Sequence, residues 1–425
     1  MRTLLHTSGE VVVRATPQEV ECMQGADVLI NNGVIERVEA HGTLLTEFDA
    51  TETTKQVKSI DLHGRAVIPG LIDAHTHLIW DGDRSDELAM RRSGLSYAEI
   101  AEQGGGIQRT VQATCAATDE RLAAIGHQRA QVALRHGTTH LEAKSGYGLD
   151  TTNELKLLRV GNALDGAENL PSIQQTWLGA HAIPHGASEQ ETVEALLNEQ
   201  LPAVVEQGHA VAADVFCEPG WFGVDSSEAL MTASKNHGLE VRMHVDEFQD
   251  GGGAELAASM GATTADHALK SSTEGLIAMA EAGVNVGWLP GTPHMMGMTL
   301  RPPSDAIGTW TIASDFNPNC PSLSLPFAAS LLVHRCAVSP GEALAAVTSS
   351  AAQTTSRSDG FTQGVLEVGA VADMNILRSS RWQGWCTGPG HSPFQATVVR
   401  GQLVVHENGL SPSPDVFTKL SGVSL

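Results

Sequence analysis

The spacing of apolar residues along the middle of the chain switches repeatedly between two periods. Short continuous apolar runs, the signature of strands buried on both faces, alternate with longer stretches in which apolar residues recur every three or four positions. The runs are Leu71 to Leu78, Thr138 to Lys144, Ser172 to Ala180, Ala213 to Cys217, Leu239 to His244, Thr263 to His267, Val284 to Leu289 and Trp310 to Ser314. Helical patterns separate them, as in "TDERLAAIGHQRAQVALRHG". There Leu122, Ile125, Val132 and Ala133 share a face and Gly137 supplies the stop, although Arg129 interrupts that face. Eight strands with helices between them match a closed parallel barrel, so residues 67–361 are expected to form a (β/α)8 TIM-like barrel, an α/β fold.

The two ends of the chain read differently. "VVVRA" and "DVLINNGVIERVEA" near the start, and "ADMNIL" and "ATVVRGQLVVHENG" near the end, are rich in β-branched residues and broken by glycine. Neither end holds enough apolar strand for a core of its own. Residues 1–66 and 362–425 are therefore expected to pair into one small β-sandwich domain beside the barrel.

Composition narrows the class. With 41% apolar and 18% charged residues the chain is an ordinary globular protein rather than a disordered or fibrous one. It has no run of about 18 apolar residues, and "MRTLLHTSGEVVV" lacks the regions of a signal peptide, so a cytoplasmic protein with no membrane partner is expected. The six cysteines are scattered without a Cys-x-x-Cys pair, which argues against a disulfide framework or a thiolate zinc site. A net charge of −23 disfavours a nucleic-acid partner, which needs a basic footprint. It also means that an anionic substrate must be met by local positive charge, which makes arginines near a candidate site informative.

Polar residues mark the predicted strand ends, where barrels of this kind carry their chemistry. In "VIPGLIDAHTHLIW" His75 and His77 stand two apart, on one face if the strand is extended. His181 follows the third strand in "LGAH", His244 and Glu247 fall in "RMHVDEF", His267 ends "ADH" and Asp315 lies in "ASDFNP". One histidine at a strand end is ordinarily structural; five such positions on separate strands argue for a site. His75, His77, His244 and Asp315 supply three nitrogens and a carboxylate, a set suited to a single catalytic zinc or iron that keeps a place for water. Such an ion brings the pKa of bound water from about 15.7 to near 7. Glu247 is placed to exchange protons with substrate and water, Asp315 to accept the water's proton, and His267 to orient hydroxide or steady charge on the attacked group.

With these residues assembled, the chain resembles the amidohydrolase superfamily and, within it, the imidazolonepropionase family. The resembling stretches are "PGLIDAHTHLIWDGDRSDEL", "AEQGGGI", "EAKSGYGLD", "LGAHAIP", "ADVFCEPG", "HVDEF", "GGAELAASMGATTADH", "SDFNPN" and "GVLEVGAVADMNIL", across residues 68–378. The resemblance implies that Arg84 and Tyr147 hold a substrate propionate, that His181 and Glu247 contact an imidazolone ring, and that Asn317 assists. A guanidinium fork suits a carboxylate. Two stretches depart from the family pattern. "LPGTPHMMGM" introduces His294 as an extra candidate for ring contact, and "NPNCPSLSLP" is expected to set Asn319 and Cys320 near the pocket.

The implied activity is hydrolysis of a small anionic heterocycle, the cyclic amide 4-imidazolone-5-propanoate, to N-formimino-L-glutamate in histidine degradation, by a metal-bound hydroxide. Two alternatives stay open: a mononuclear-metal deaminase of a nitrogen heterocycle, and a non-catalytic scaffold with this fold. One ion per chain, zinc or iron, is expected. Lys144 follows the apolar run of the second strand, whereas the carbamylated lysine of two-metal relatives lies on the fourth. "QGGGI", at Gly104 to Gly106, lacks the Gly-Lys-Ser/Thr of a phosphate loop and reads as backbone approaching the site. The oligomeric state is open, with homodimers common among such barrels.

Overall fold

The computed structural model describes residues 2–50, 57–95, 99–100, 103–305 and 308–405. Eight parallel strands follow one another in chain order around a barrel: β6 (Leu71–Thr76), β7 (Thr138–Lys144), β8 (Ser172–Ala180), β9 (Ala212–Cys217), β10 (Glu240–Val245), β11 (Thr264–His267), β12 (Asn285–Trp288) and β13 (Trp310–Ile312). The segment after β13 closes the ring. Phe316 bridges Thr76 in parallel, the Asp315 amide donates to the His75 carbonyl at 3.1 Å, and the His77 amide donates to the Phe316 carbonyl at 2.8 Å. Every residue of β7 and β8 is buried, as expected for parallel strands covered on both faces.

The helix Asp119–Arg135 shows why the barrel tolerates a charge on an apolar face. Thr118 caps its start, and Gly137 follows its end at φ +88°. Arg129 lies 3.7 Å above the Trp80 ring and donates to the Leu78 and Trp80 carbonyls at 2.9 and 2.8 Å. The arginine thus fixes the chain just beyond His77, where β6 has ended and no ladder partner remains for those carbonyls.

The chain ends form a separate mixed sheet. Its strands β1 (Arg2–Ala15), β2 (Val20–Asn31), β3 (Val34–Ala40), β4 (Val57–Asp61), β5 (Val67–Pro69), β14 (Met374–Leu377), β15 (Phe394–Val399) and β16 (Gln402–Val405) run in the order β16-β15-β14-β5-β1-β2-β3, with β4 on β1. Leu5, Val28, Ile30 and Ile35 from one end share a core with Met374, Ile376 and Val398 from the other. The expected continuation of the last strand over His406 to Gly409 lies outside the described residues. Among the described residues no helix is long and apolar enough to cross a membrane.

Candidate active site

The C-terminal rim of the barrel gathers the histidines. His75 sits in β6, His77 lies just past its end, His244 comes from β10, and His267 is the last residue of β11. The His75 ring centroid is 4.5 Å from that of His244, 5.5 Å from that of His77 and 5.9 Å from that of His267. Asp315 Oδ1 is 3.5 Å from His75 Nε2 and 3.6 Å from His77 Nε2. His267 and Asp315 both hold left-handed backbone, at φ +72° and +47°, a strain that only a constrained surrounding maintains.

These side chains have the character of ligands. His75 Nε2, His77 Nδ1, His244 Nε2 and His267 Nδ1 are buried with no hydrogen-bond partner, which buried polar atoms rarely tolerate. Donor atoms of His75, His77 and His244, and of His75, His267 and Asp315, form groups within 4.8 Å. Burial first, then neighbouring positive groups, hold His75 and His77 well below the usual imidazole value, and burial likewise lowers His267. The rings are therefore neutral, with lone pairs to offer. Clustered neutral imidazoles with one carboxylate fit a divalent or trivalent cation.

A layer of buried charge lies beneath them, which the sequence reading did not assign. His75 Nδ1 is 2.7 Å from Asp266 Oδ2 on β11, and His244 Nδ1 is 3.0 Å from Asp214 Oδ1 on β9. A carboxylate on the far nitrogen of a metal-binding histidine fixes both tautomer and ring orientation. The available signal was a carboxylate set inside an otherwise apolar run, as in "AADVFC" and "TADH". Lys144 joins this layer, 2.6 Å from Asp214 Oδ2 and 2.9 Å from Glu142 Oε1.

Above the histidines opens a cavity of about 190 Å³, lined by Arg84, Tyr147, His181, Glu247, Asn317 and an aromatic wall of Phe216, Trp221 and Phe248 among others. Glu247 Oε2 lies 3.7 Å from His267 Nε2. Burial, with the Asp315 and Glu218 charges adding to it, pushes the Glu247 carboxyl well above its ordinary value. Its loop is wound on Glu218, whose carboxylate accepts the amides of Glu247, Phe248 and Gln249 at 2.8 to 3.2 Å. His181 Nδ1 meets the Gly146 carbonyl at 2.7 Å, and burial brings its pKa down to about 4. The loop carrying Tyr147 is wound on the buried Glu154 carboxylate, which accepts the amides of Gly146, Gly148 and Leu149 at 2.6 to 2.9 Å.

Arg84 is buried, and its Nε and Nη2 donate to Glu87 at 2.9 and 2.8 Å. Glu87 also accepts the Gly106 amide at 2.8 Å, tying the glycine loop to the arginine. Asn317 lines the cavity while its amide serves its own loop, donating to the Asp315 carbonyl and accepting from Asn319 and Cys320. Asn319 lines the cavity as expected. Cys320 is buried behind the loop with its thiol on the Ser314 carbonyl, and His294 is exposed and packs against Phe327. The short helix Gly291–Met296 turns Thr292 and Met296, not His294, to the cavity.

No protein-family model matches the chain. An imidazolonepropionase of Haloarcula marismortui is 40% identical over 345 residues, covering 79% of this chain and 81% of the relative. One from Brevibacillus brevis is 37% identical over 417 residues, 97% of each chain. Among solved structures, the atrazine chlorohydrolase of Arthrobacter aurescens complexed with zinc superposes with a TM-score of 0.65 at 17% identity, covering 99% of this chain and 98% of that one. An adenosine deaminase of Xanthomonas campestris with bound zinc gives 0.65 at 15%, covering 99% and 96%. The latter two likenesses concern the fold. Sequence identity of this extent over most of both chains places the protein in the imidazolonepropionase family.

Proposed function

We propose that the protein hydrolyses the cyclic amide of 4-imidazolone-5-propanoate to N-formimino-L-glutamate, with one metal ion per chain, zinc or iron, held by His75, His77, His244 and Asp315. The observation that carries this reading is the meeting of partnerless imidazole nitrogens, Asp315 and the Glu247–His267 pair at the floor of a cavity that also contains a buried arginine. When bound, the ion supplies Lewis acidity toward the ring carbonyl and makes water a nucleophile near neutral pH. Lys144, already paired with Glu142 and Asp214, supports one ion rather than two.

The remaining chemistry is assigned to the chain's own groups. Arg84 and Tyr147 take the propionate, and His181 and Glu247 take the ring. Glu247 removes a proton from the water that attacks the ring carbonyl carbon. As the carbon–nitrogen bond breaks, Glu247 delivers that proton to the departing nitrogen, so one water is consumed and the ring opens. His267 orients the water and steadies charge on the carbonyl oxygen. Asp315, whose Oδ2 accepts from the Thr292 hydroxyl, is a second station for the water's proton. Asn317 shapes the loop behind Asp315.

The test is consumption of freshly generated 4-imidazolone-5-propanoate by metal-replete protein, with formiminoglutamate and ammonia followed in parallel. Formiminoglutamate without ammonia supports the reading. Ammonia release would identify a deaminase, and no turnover by metal-loaded protein would reject this substrate.

A further inference from the structure

Lys144 is a fully buried charge beneath the histidines, and the ring-opening chemistry makes no use of it. Its side chain has no exposure, and a lysine so desolvated persists only where partners outweigh the cost of burial. The partners are two carboxylates on two strands, Glu142 on its own strand β7 and Asp214 on β9. The two oxygens of Asp214 are divided: Oδ2 lies 2.6 Å from Lys144 Nζ, and Oδ1 lies 3.0 Å from His244 Nδ1. The ion pair at Oδ2 and the hydrogen bond at Oδ1 together restrain the carboxylate from turning about its terminal bond. Oδ1 is thereby kept as the acceptor of the His244 Nδ1 hydrogen, and the lone pair stays on Nε2, the buried nitrogen that has no hydrogen-bond partner. Glu142 is tied differently. Its Oε1 faces Lys144 at 2.9 Å and Arg242 Nε at 3.7 Å, and its Oε2 accepts the main-chain amide of Thr76, between His75 and His77, at 3.4 Å, so it touches the β6 backbone and no imidazole of the cluster, and a glutamine there still offers an acceptor to that amide.

We propose that Lys144 is a positioning residue for the metal ion, acting through Asp214 to hold the His244 ring and its tautomer in the binding orientation. The inference rests on the metal reading above. It assigns the lysine a role in ion affinity separate from the one it has in neutralising buried charge.

The experiment measures zinc affinity by competition with a chelator, together with the melting temperature of the metal-free protein, for wild type and for Glu142→Gln, Lys144→Met and the double variant Glu142→Gln/Lys144→Met. The double variant removes the lysine together with one of the two carboxylates it balances, so that folding is less burdened than in Lys144→Met. Glu142→Gln should bind zinc close to wild type. The double variant should melt near Glu142→Gln without metal and yet bind zinc about 10- to 100-fold more weakly, the usual loss when a partner behind a ligand is removed. Equal zinc affinity in the double variant and in Glu142→Gln would overturn the inference. So would failure of both lysine variants to fold while Glu142→Gln folds, since Lys144 would then act in folding. Wild type that retains neither zinc nor iron against the chelator would instead overturn the metal reading itself.

Discussion

His181 Nδ1 lies 2.7 Å from the main-chain oxygen of Gly146. A carbonyl can only accept, so Nδ1 carries the ring hydrogen and Nε2 is left as an acceptor facing the cavity. Gly146 adopts φ +96°, and a Cβ there would stand 2.9 Å from His181 Nδ1 and 3.0 Å from the Leu178 oxygen. Gly146→Ala therefore meets both backbone strain, about 1–3 kcal/mol, and displacement of the imidazole. It should lower kcat/KM about tenfold or more and reduce the melting temperature, while zinc content stays at the wild-type level. Unchanged kcat/KM would separate His181 from the substrate.

Glu247 combines burial with two neighbouring carboxylates, and both effects disfavour its ionised form. In the proposed role of base it must be ionised, so kcat/KM should fall as pH drops through its raised pKa, giving an acid limb above the ordinary glutamate value of about 4.3. Glu218→Gln removes one of the charges that raise it and should move that limb to lower pH. Glu247→Gln should reduce kcat by about 100- to 10,000-fold with metal retained. A pH profile of the Glu218 variant that overlays wild type would refute the electrostatic account.

Arg84 is both a candidate anion clamp and the partner of buried Glu87. Arg84→Ala should lower kcat/KM about 10- to 100-fold, mostly through KM, the range expected for a lost charge-assisted hydrogen bond. It also strands the Glu87 carboxylate, so stability falls as well. Arg84→Ala/Glu87→Gln distinguishes the two effects: it should regain melting temperature but not KM. Recovery of KM in the double variant would show that the arginine serves only the loop that contains Gly106.

The parts of the molecule legible in the sequence are those carried by local pattern. β7 and β8 have the expected limits because their apolar runs end at polar or glycine-bearing turns, whereas β6 stops at Thr76, short of Leu78, where the chain turns toward Phe316. The histidines were legible because a polar residue at the end of a buried strand is conspicuous. Asp214, Asp266, Glu154 and Glu218 were not. Their meaning comes from partners on other strands or loops, and a linear sequence does not display the register that brings His244 beside Phe216 and Arg242 beside Asp214. The burial of Arg84 was not legible in the charged stretch around it, although Glu87 three residues on offered the clue of a paired, inward-facing charge.

His140 makes the stability of the protein depend on pH away from the cavity. It lies on β7 with Nδ1 2.8 Å from the Ser172 hydroxyl, which also accepts from Arg357 at 2.9 Å. Burial, aided by the Arg357 charge, brings its pKa from 6.5 down to about 3. The folded protein thus keeps this ring neutral, while the unfolded chain takes up a proton as pH falls below 6.5. The neutral ring's contribution is complete above about pH 6.5 and is lost progressively toward pH 3, at about 1.4 kcal/mol per unit. His140→Gln removes the titrating group, so wild type should lose melting temperature faster than the variant between pH 6.5 and 4. Parallel curves over that interval would mean that the ring is protonated in the folded state or that water reaches it, and His140 would drop out of the acid response.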